Sequence, residues 1–511
     1  MYRREDLSIA IPTLGRDIGL LDRILGVLQA EMLASIVVWD GHQAPSQAQA
    51  QAILARGASL RVHERNRGLS AGRNTGAAAM ATSLGMFIDD DIVPAAGFAQ
   101  AVIDFHNQHP DPLAMMMGCV TWRGGPHQSA LTEWFETRGN WNVFHTVPEG
   151  RPHANFMGGF TSFKTTALSD LTFDEGFTRY GCEDVEFGYR FFARGGTLLS
   201  WPRVLGIHIK PLSAADYLRD HLGAGYSRGV LIECQPDTSF SLAWTCKAFN
   251  TTLPRAQLDA LADCADRLLV QGGGRPTPEL DLLMRLLSEQ ALQSGFIEFM
   301  TAQHAGAQAL RDAALAGAHI DEQALINGVE DFAPLLLERA RRSYDPQQRM
   351  ALLARCRSLI PHYLAPLIEE ISGHDDTAAH AALREHLARH EHRLDHRTLE
   401  TLLSRLGLQR LSASGGGARE LYAVLLSAQA ADDVGAIIDT AQRLLDLDPG
   451  HVGALIAWAR AAMRSDKPLA RVLLRQAKHH VGFRPLHEQE EREPEIAALL
   501  RGIEQIPEHE A

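Results

Sequence analysis

The stretch Met-Phe-Ile-Asp-Asp-Asp-Ile-Val-Pro, residues 86–94, decides how the first two hundred residues are read. An apolar run of strand length ends in three consecutive carboxylates, Asp89, Asp90 and Asp91. Like charges this close repel, and a bound divalent cation removes that cost. Side chains alternate along a strand, so Asp89 and Asp91 are expected on one face, reaching one ion or one ligand. The competing reading is a solvated loop with an acidic helix start, because carboxylates favour helix N-termini.

Upstream lie three more runs of strand character: SIAIPTL (8–14), SIVVWDG (35–41) and SLRVHER (59–65). Ala- and Leu-rich segments long enough for crossover helices separate them, including 70–83, where Ser70 can cap the first turn. This alternation predicts an α/β fold over residues 1–212, a doubly wound and mostly parallel sheet. Ligands of such sheets bind at the carboxyl ends of the strands, so polar residues there carry the functional expectation.

After about residue 212 the strand signals fade. Leu, Ala, Arg and Glu recur at helical spacing, predicting an all-α, repeat-like C-terminal half. Gly clusters in QGGGRPTPE (271–279) and SASGGGARE (412–419) read as linkers. The expected domains are therefore 1–212, a helical domain 213–411 with an internal break near 271–279, and a helical region 418–511. In the last, Leu421/Leu455, Ala423/Ala457, Ala428/Ala462 and Ala436/Ala470 are 34 apart, and LLDLDPG (444–450) resembles the end of a tetratricopeptide repeat. A generic helical hairpin bundle is the alternative.

Composition narrows the classes. The 511 residues hold 49 Lys and Arg against 62 Asp and Glu, a net charge of −13 without a basic run. Such a chain is a poor binder of nucleic acid or anionic membrane. No apolar stretch is long enough for a membrane span. The opening MYRREDLSIAIPTLGR lacks a signal-peptide core, and six scattered Cys form no CxxC pair, so a cytoplasmic protein with reduced thiols is expected.

A second acidic cluster follows Phe173-Asp174-Glu175-Gly176-Phe177. After Gly181, which supplies a turn, and Cys182, Glu183, Asp184 and Glu186 crowd a helix start. A carboxylate held there by backbone N–H groups suits a general base aimed into a cleft, and simple N-capping is the alternative. His208, in VLGIHIK, ends the last strand run. Trp122, Trp134 and Trp141 fall within 20 residues and read either as a sugar-stacking acceptor lid or as core. The histidines of 374–396 read as a solvated helix face, with zinc binding the weaker alternative.

Together these features resemble family 2 glycosyltransferases of the GT-A-type nucleotide-sugar fold. IPTLGR, with Pro12, Thr13 and Arg16, is similar to the family's first strand and loop. Asp40 sits where the family has an Asp on the nucleobase. Asn66-Arg67-Gly68 with Ala71-Gly72-Arg73-Asn74 resembles the segment beside the nucleotide, and FIDDDIVP looks like its DxD motif. FDEGFTRYGCEDVEFGYRFFARG resembles the acceptor-side half of galactosyltransferase-like members, with Cys182 a departure at a position commonly small. The resemblance implies that Asp91 and His208 ligate Mn²⁺ (or Mg²⁺), and that Asp89, with Asp90, holds the ribose or a water on the metal. It also implies that Asp40 and Arg73 hold the nucleotide and that Asp184, with Glu183 beside it, is the base of an inverting transfer. Gly159 joins the three Trp on the acceptor side. The implied partners are a nucleotide-sugar donor, UDP-linked first, and a glycan, protein or peptide acceptor. The helical half would dock that acceptor or make a homodimer. Two other classes compete. Asp89-x-Asp91-x-Val93 also matches the opening of haloacid-dehalogenase-type phosphatases, with Lys164 as a later partner, and the chain could be a helical scaffold carrying an inactive nucleotide-sugar domain.

Overall fold

Four of the expected strands form as read: β1 (Leu7–Thr13), β2 (Ala34–Trp39), β3 (Ser59–Val62) and β4 (Leu84–Ile88). The structure, a computed structural model, describes residues 1–139, 141, 144, 147, 149–151, 153, 156–271, 276–372, 374, 376–406, 425–426, 428–429, 431–447, 451–464, 466–481 and 494–501. Further strands are β5 (Ile92–Pro94), β6 (Ala114–Thr121), β7 (Phe160–Lys164) and β8 (Thr197–His208). They build one sheet in the order β3-β2-β1-β4-β7-β6-β8-β5. Every residue of β1, β4 and β6 is buried, which is why these strands read as unbroken apolar runs.

β3, β2, β1 and β4 are mutually parallel, as are β6 and β8. β7 runs against both β4 and β6, and β5 against β8. The sheet is thus mixed, less parallel than simple strand–helix alternation implies. Antiparallel strands need no crossover helix, so their direction leaves no mark in the alternation.

On the sheet pack α1 (Ile18–Ala30), α2 (Gln47–Ala55), α3 (Leu69–Ala78), α4 (Phe98–Gln108) and α6 (Glu183–Ala193), while α5 (Ala130–Thr137) buries Leu131, Trp134 and Phe135 against helices that follow residue 213. The core runs from Ile9, Ile11 and Val37 through Phe87 and Met116 to Phe163 and Phe187. Ser70 does not cap α3. The cap is Gly68 at φ +90°, and the Ser70 hydroxyl is buried within the first turn without a partner. The helix starts early because the Gly68 N–H is drawn to the Asp40 carboxylate, 2.8 Å away.

The switch to helices comes at Ser213, whose hydroxyl and backbone N–H form a reciprocal capping pair with Asp216. There follow α7 (Ala214–Cys234), α8 (Leu242–Thr251), α9 (Arg255–Gln271) and α10 (Pro278–Gln303), and helices continue to Arg405. The chain divides into two compact units, residues 1–150 with 155–402 and residues 151–154 with 403–511. The sheet and the helices between 214 and 402 therefore share one unit. Of the linker readings, 272–275 and all of 412–419 lie outside the described residues.

In the second unit, helices Val434–Leu447 and Val452–Ala462 share a core of Ile437, Ala441, Leu444, Ala454 and Ala457. Helix Lys467–Val481 extends it with Ala470, Leu473 and Leu474. Of the residues 34 apart, Ala428, Leu455, Ala457, Ala462 and Ala470 are buried and Ala436 is half-buried, while Leu421 and Ala423 lie outside the described residues.

α7 and α10 cross at glycine-to-backbone distance. A β-carbon at Gly225 would stand 2.2 Å from the Leu292 carbonyl oxygen, and one at Gly295 would stand 2.0 Å from that of Leu222. Gly295→Ala gains about 1 kcal/mol of helix propensity, but forcing the helices apart costs about 1–3 kcal/mol and leaves voids besides. The variant is expected to unfold at lower urea concentration than the wild type; an unchanged or raised midpoint would show that the crossing can relax.

Candidate functional site

β4 stops at Ile88, and residues 89–91 form a tight turn closed by Ile92 N–H donating to Asp89 O at 3.1 Å. Strand alternation therefore does not reach the three carboxylates, and the expectation that Asp89 and Asp91 share a face is corrected: each finds its own partner. Asp89 Oδ1 lies 3.3 Å from Arg73 Nη2. Asp90 Oδ2 accepts from Thr13 Oγ1 at 2.5 Å. Asp91 Oδ1 faces His208 Nε2 at 3.5 Å. Burial, then the neighbouring charge, pushes the Asp90 and Asp91 carboxyls up to about 7.

Arg73, on α3, is 1% exposed and joins three elements. Nη1 donates to Asp184 Oδ1 at 2.7 Å and approaches Glu183 Oε1 at 3.4 Å, while Nη2 serves Asp89. The guanidinium also lies 5.3 Å from the Phe173 ring centroid. Burial alone would lower its pKa, and the charges of Asp184, Asp89 and Glu183 more than reverse that. Asp184 and Glu183 open α6, where the helix dipole favours anions. Asp184 Oδ2 accepts from Gly158 N–H at 2.9 Å. Desolvation, then Asp184, pushes Glu183 up to about 7, and desolvation raises Asp184 as well. Glu183 Oε2 is buried with no hydrogen-bond partner. Gly159 belongs to this cluster: its carbonyl accepts from Asp89 N–H, and a β-carbon there would stand 2.3 Å from Asp89 Oδ2.

Asp40 follows β2 and is 3% exposed. Its carboxylate accepts from Arg67 N–H and Gly68 N–H, both at 2.8 Å, and meets His63 Nδ1 at 2.6 Å. Asn66 Nδ2 donates to the Asp40 carbonyl. In this structure Asp40 thus holds the 66–68 loop. Pro12 packs on the same helix, 2.9 Å from where a Gly72 β-carbon would be, and Arg16 is exposed beyond β1. Asn74 ties α3 to the other motif by exchanging hydrogen bonds with the Phe173 backbone, and Arg67 pairs with Glu175.

His208 is buried, and burial pushes its imidazole down to about 3, leaving it neutral. The ring lies 4.2 Å from Trp122 and 5.6 Å, edge-on, from Trp141. Trp134 is placed elsewhere: 2% exposed, it packs with Tyr217 and donates to Asp281 of α10. It fills the interior between sheet and helices, which corrects its assignment to an acceptor lid. Of the helical histidines, His386 is buried and bonds the His362 carbonyl. Among the described residues no group of three or more His, Cys, Asp or Glu is placed to hold a metal.

Lys164 pairs in register with Leu84 at the start of β4, and its ammonium is spent on the carbonyls of His109 and Asp111. Five residues along a strand separate that end from Asp89, roughly 17 Å. The lysine that a phosphatase would need is at the wrong end of the strand. The sequence reading passed over Lys210, whose charge acts on both Asp91 and His208 and whose ammonium pairs with Asp220 at 3.1 Å. Its place two residues after His208 was the available signal.

The site therefore gathers Thr13, Asp40, Arg73, the Asp89–Asp91 turn, Glu183, Asp184 and His208 at the carboxyl ends of β1, β2 and β4, with β8 alongside. Residues 8–171 match the family model described as Glycosyl transferase family 2. This segment is a family 2 glycosyltransferase domain. Glu183, Asp184 and His208 lie past its matched end. A curated relative, validoxylamine A glucosyltransferase of Streptomyces hygroscopicus subsp. limoneus, is 28% identical over 220 residues, covering 37% of this chain and 48% of its own length. The chain thus spans about half of that relative. Solved structures similar to it include GalNAc-T7 with UDP, GalNAc and Mn²⁺ (14% identical, TM-score 0.36, 53% of this chain and 55% of that one). Another is the mannosyltransferase PcManGT of Pyrobaculum calidifontis with GDP-Man and Mn²⁺ (15%, TM-score 0.33, 73% and 89%). A third is S. aureus TarS 1–349 with UDP (14%, TM-score 0.32, 58% and 92%).

Because the folded-state pKa of Glu183 is raised, the stability it contributes is fully present below about pH 4.5 and is lost as pH rises through about 7. Glu183→Gln is expected to flatten that loss by roughly 1–3 kcal/mol. Urea midpoints at pH 5 and pH 8 measure it, and an unaltered pH slope in the variant would refute the assignment.

Proposed function

We propose that the chain is an inverting glycosyltransferase that moves a sugar from a nucleoside diphosphate sugar, UDP-linked first, to a hydroxyl acceptor. The observation that carries this reading is the division of the carboxylates into two sets. Asp89, Glu183 and Asp184 share the single charge of Arg73, whereas Asp91 faces neutral, buried His208. Transfer needs both: an anion-stabilising centre for the leaving diphosphate and a separate carboxylate for the acceptor proton.

Asp91 and His208 suit a divalent ion. A neutral imidazole and a carboxylate are the donors Mn²⁺ accepts, and the burial and neighbouring Asp89 charge that raise the Asp91 pKa are costs a cation would relieve. When bound, Mn²⁺ or Mg²⁺ supplies Lewis-acid stabilisation of the diphosphate. The protein's own residues do the rest. The acceptor oxygen attacks the anomeric carbon, the bond from that carbon to the phosphate oxygen breaks, and the diphosphate leaves with the electron pair. Asp184 takes the acceptor proton; its side chain is 21% exposed against 9% for Glu183, so it is the more accessible of the two. A second reading makes Glu183 the base, favoured by its unpartnered oxygen and a pKa close to neutral. The sequence relationship to a glucosyltransferase supports the activity class. Among the described residues no helix is long and apolar enough to cross a membrane. Every residue assigned here lies before 403, so the C-terminal unit is left to docking a protein or peptide acceptor, or to self-association.

Asp184→Asn keeps the hydrogen bond to Arg73 but removes the proton acceptor. Turnover is expected to fall by roughly 10²–10⁴ with donor affinity little changed. Survival of turnover in this variant, with its loss in Glu183→Gln, would transfer the role to Glu183.

Asp91→Ala and excess chelator are each expected to abolish transfer, with Mn²⁺ restoring only the chelated wild type. Donor consumption measured in both conditions tests this, and full activity in chelator would remove the metal assignment.

A further inference from the structure

Asp220, Gly223, Ala224 and Ser227 recur on α7 at the spacing of one helix face, and all four meet residues that flank the candidate site, Lys210 and the segment 179–182. Asp220 accepts from Lys210, the cation beside Asp91 and His208. A β-carbon at Gly223 would stand 3.1 Å from Tyr180 Cβ. Ala224 Cβ is 3.0 Å from where a Gly181 β-carbon would be, and the Ala224 carbonyl lies 3.7 Å from Cys182 Sγ. Ser227 Oγ donates to Arg179 O at 3.3 Å. Residues 179–182 are thus laid along α7, contact by contact, immediately before Glu183 and Asp184.

The backbone of that segment needs such support. Gly181 has φ +88°, and Cys182, a residue with a β-carbon, has φ +69°. A non-glycine residue in the left-handed region persists where its surroundings over-determine it. The opposite face of α7 is fixed as well: Gly225 and Gly229 close on Leu292 and Phe299 of α10, and Arg179 pairs with Glu298 of the same helix at 2.7 Å.

We propose that the 220/223/224/227 face of α7 is a positioning element of the active site, setting the path of residues 179–182 and hence the direction in which Glu183 and Asp184 point. This helix lies beyond the residues matched to the family and rests on the glycosyltransferase reading only for what Asp184 does. α7, braced by α10, is then part of the catalytic apparatus rather than an appendage to it.

The test compares full-length wild type, Ala224→Val and Ala224→Ser. Valine pushes against Gly181, whereas serine adds one atom that can turn aside. For Ala224→Val, turnover is expected to fall roughly tenfold or more with donor KM within about twofold, and the serine variant should recover most of the loss. Amide hydrogen exchange across 179–186 should quicken in the valine variant, and this readout needs no turnover. Were the valine variant insoluble, Ser227→Ala, which removes only the hydroxyl to Arg179 O, should move exchange and turnover the same way by a smaller factor. Unchanged exchange across 179–186, or a fall in donor affinity as large as the fall in turnover, would overturn the proposal. A wild type that consumes no nucleotide sugar would overturn the functional reading instead, and the exchange comparison would still decide the positioning role.

Discussion

One buried guanidinium holds the site together. Arg73 comes from α3, Asp89 from the turn after β4, and Glu183 and Asp184 from the start of α6, and all of them meet around that side chain. A buried cation costs several kcal/mol in lost hydration, recovered only when its geometry and partners are good. The reverse holds for the acids, which without Arg73 would be three uncompensated charges in one pocket. Each side needs the other, so the acceptor-side motif cannot drift from the nucleotide-side motif. Lysine would not serve, because a point charge cannot address Asp89 with one nitrogen and Asp184 with another.

The same constraint separates the second charge centre. With Asp89 committed to Arg73 and Asp90 to Thr13, Asp91 is the member of the turn left to face His208. Trp122 and Trp141 pack on that imidazole, keep water from it and favour its neutral form. The aromatic cluster, read as an acceptor lid or as core, therefore acts differently at Trp122 and Trp141, which pack on His208, and at Trp134, which packs with Tyr217.

How much was legible in the sequence follows from what each feature depends on. The four N-terminal strands could be read because strands buried on both faces must be apolar throughout, a local property. The place of the site could be read because open sheets present their carboxyl ends to ligands. The divergence of the three Asp could not, since alternation holds only while the strand lasts and nothing in FIDDD marks its end at Ile88. Nor could the partners of Arg73, which stand 16, 110 and 111 residues away. The hold of Asp40 on the 66–68 loop could not be read either, because its oxygens bond to backbone N–H groups that any residues but proline at 67 and 68 would supply. Ser70 was misplaced for a related reason: the cap is fixed by Asp40, some thirty residues upstream.

The composition of α7 is the remaining consequence. HLGAGYSRG, residues 221–229, is poor material for a helix interior, its three glycines weakening it by about 1 kcal/mol each relative to alanine. An isolated amphipathic helix would carry small residues on neither face. Here one face must admit the backbone of α10 and the other the turn before Glu183, at separations where a single added β-carbon would collide. Small residues on both sides of one helix are thus explained by two simultaneous close approaches. The packing of α7 on α10 and the path of residues 179–182 meet in the same nine residues.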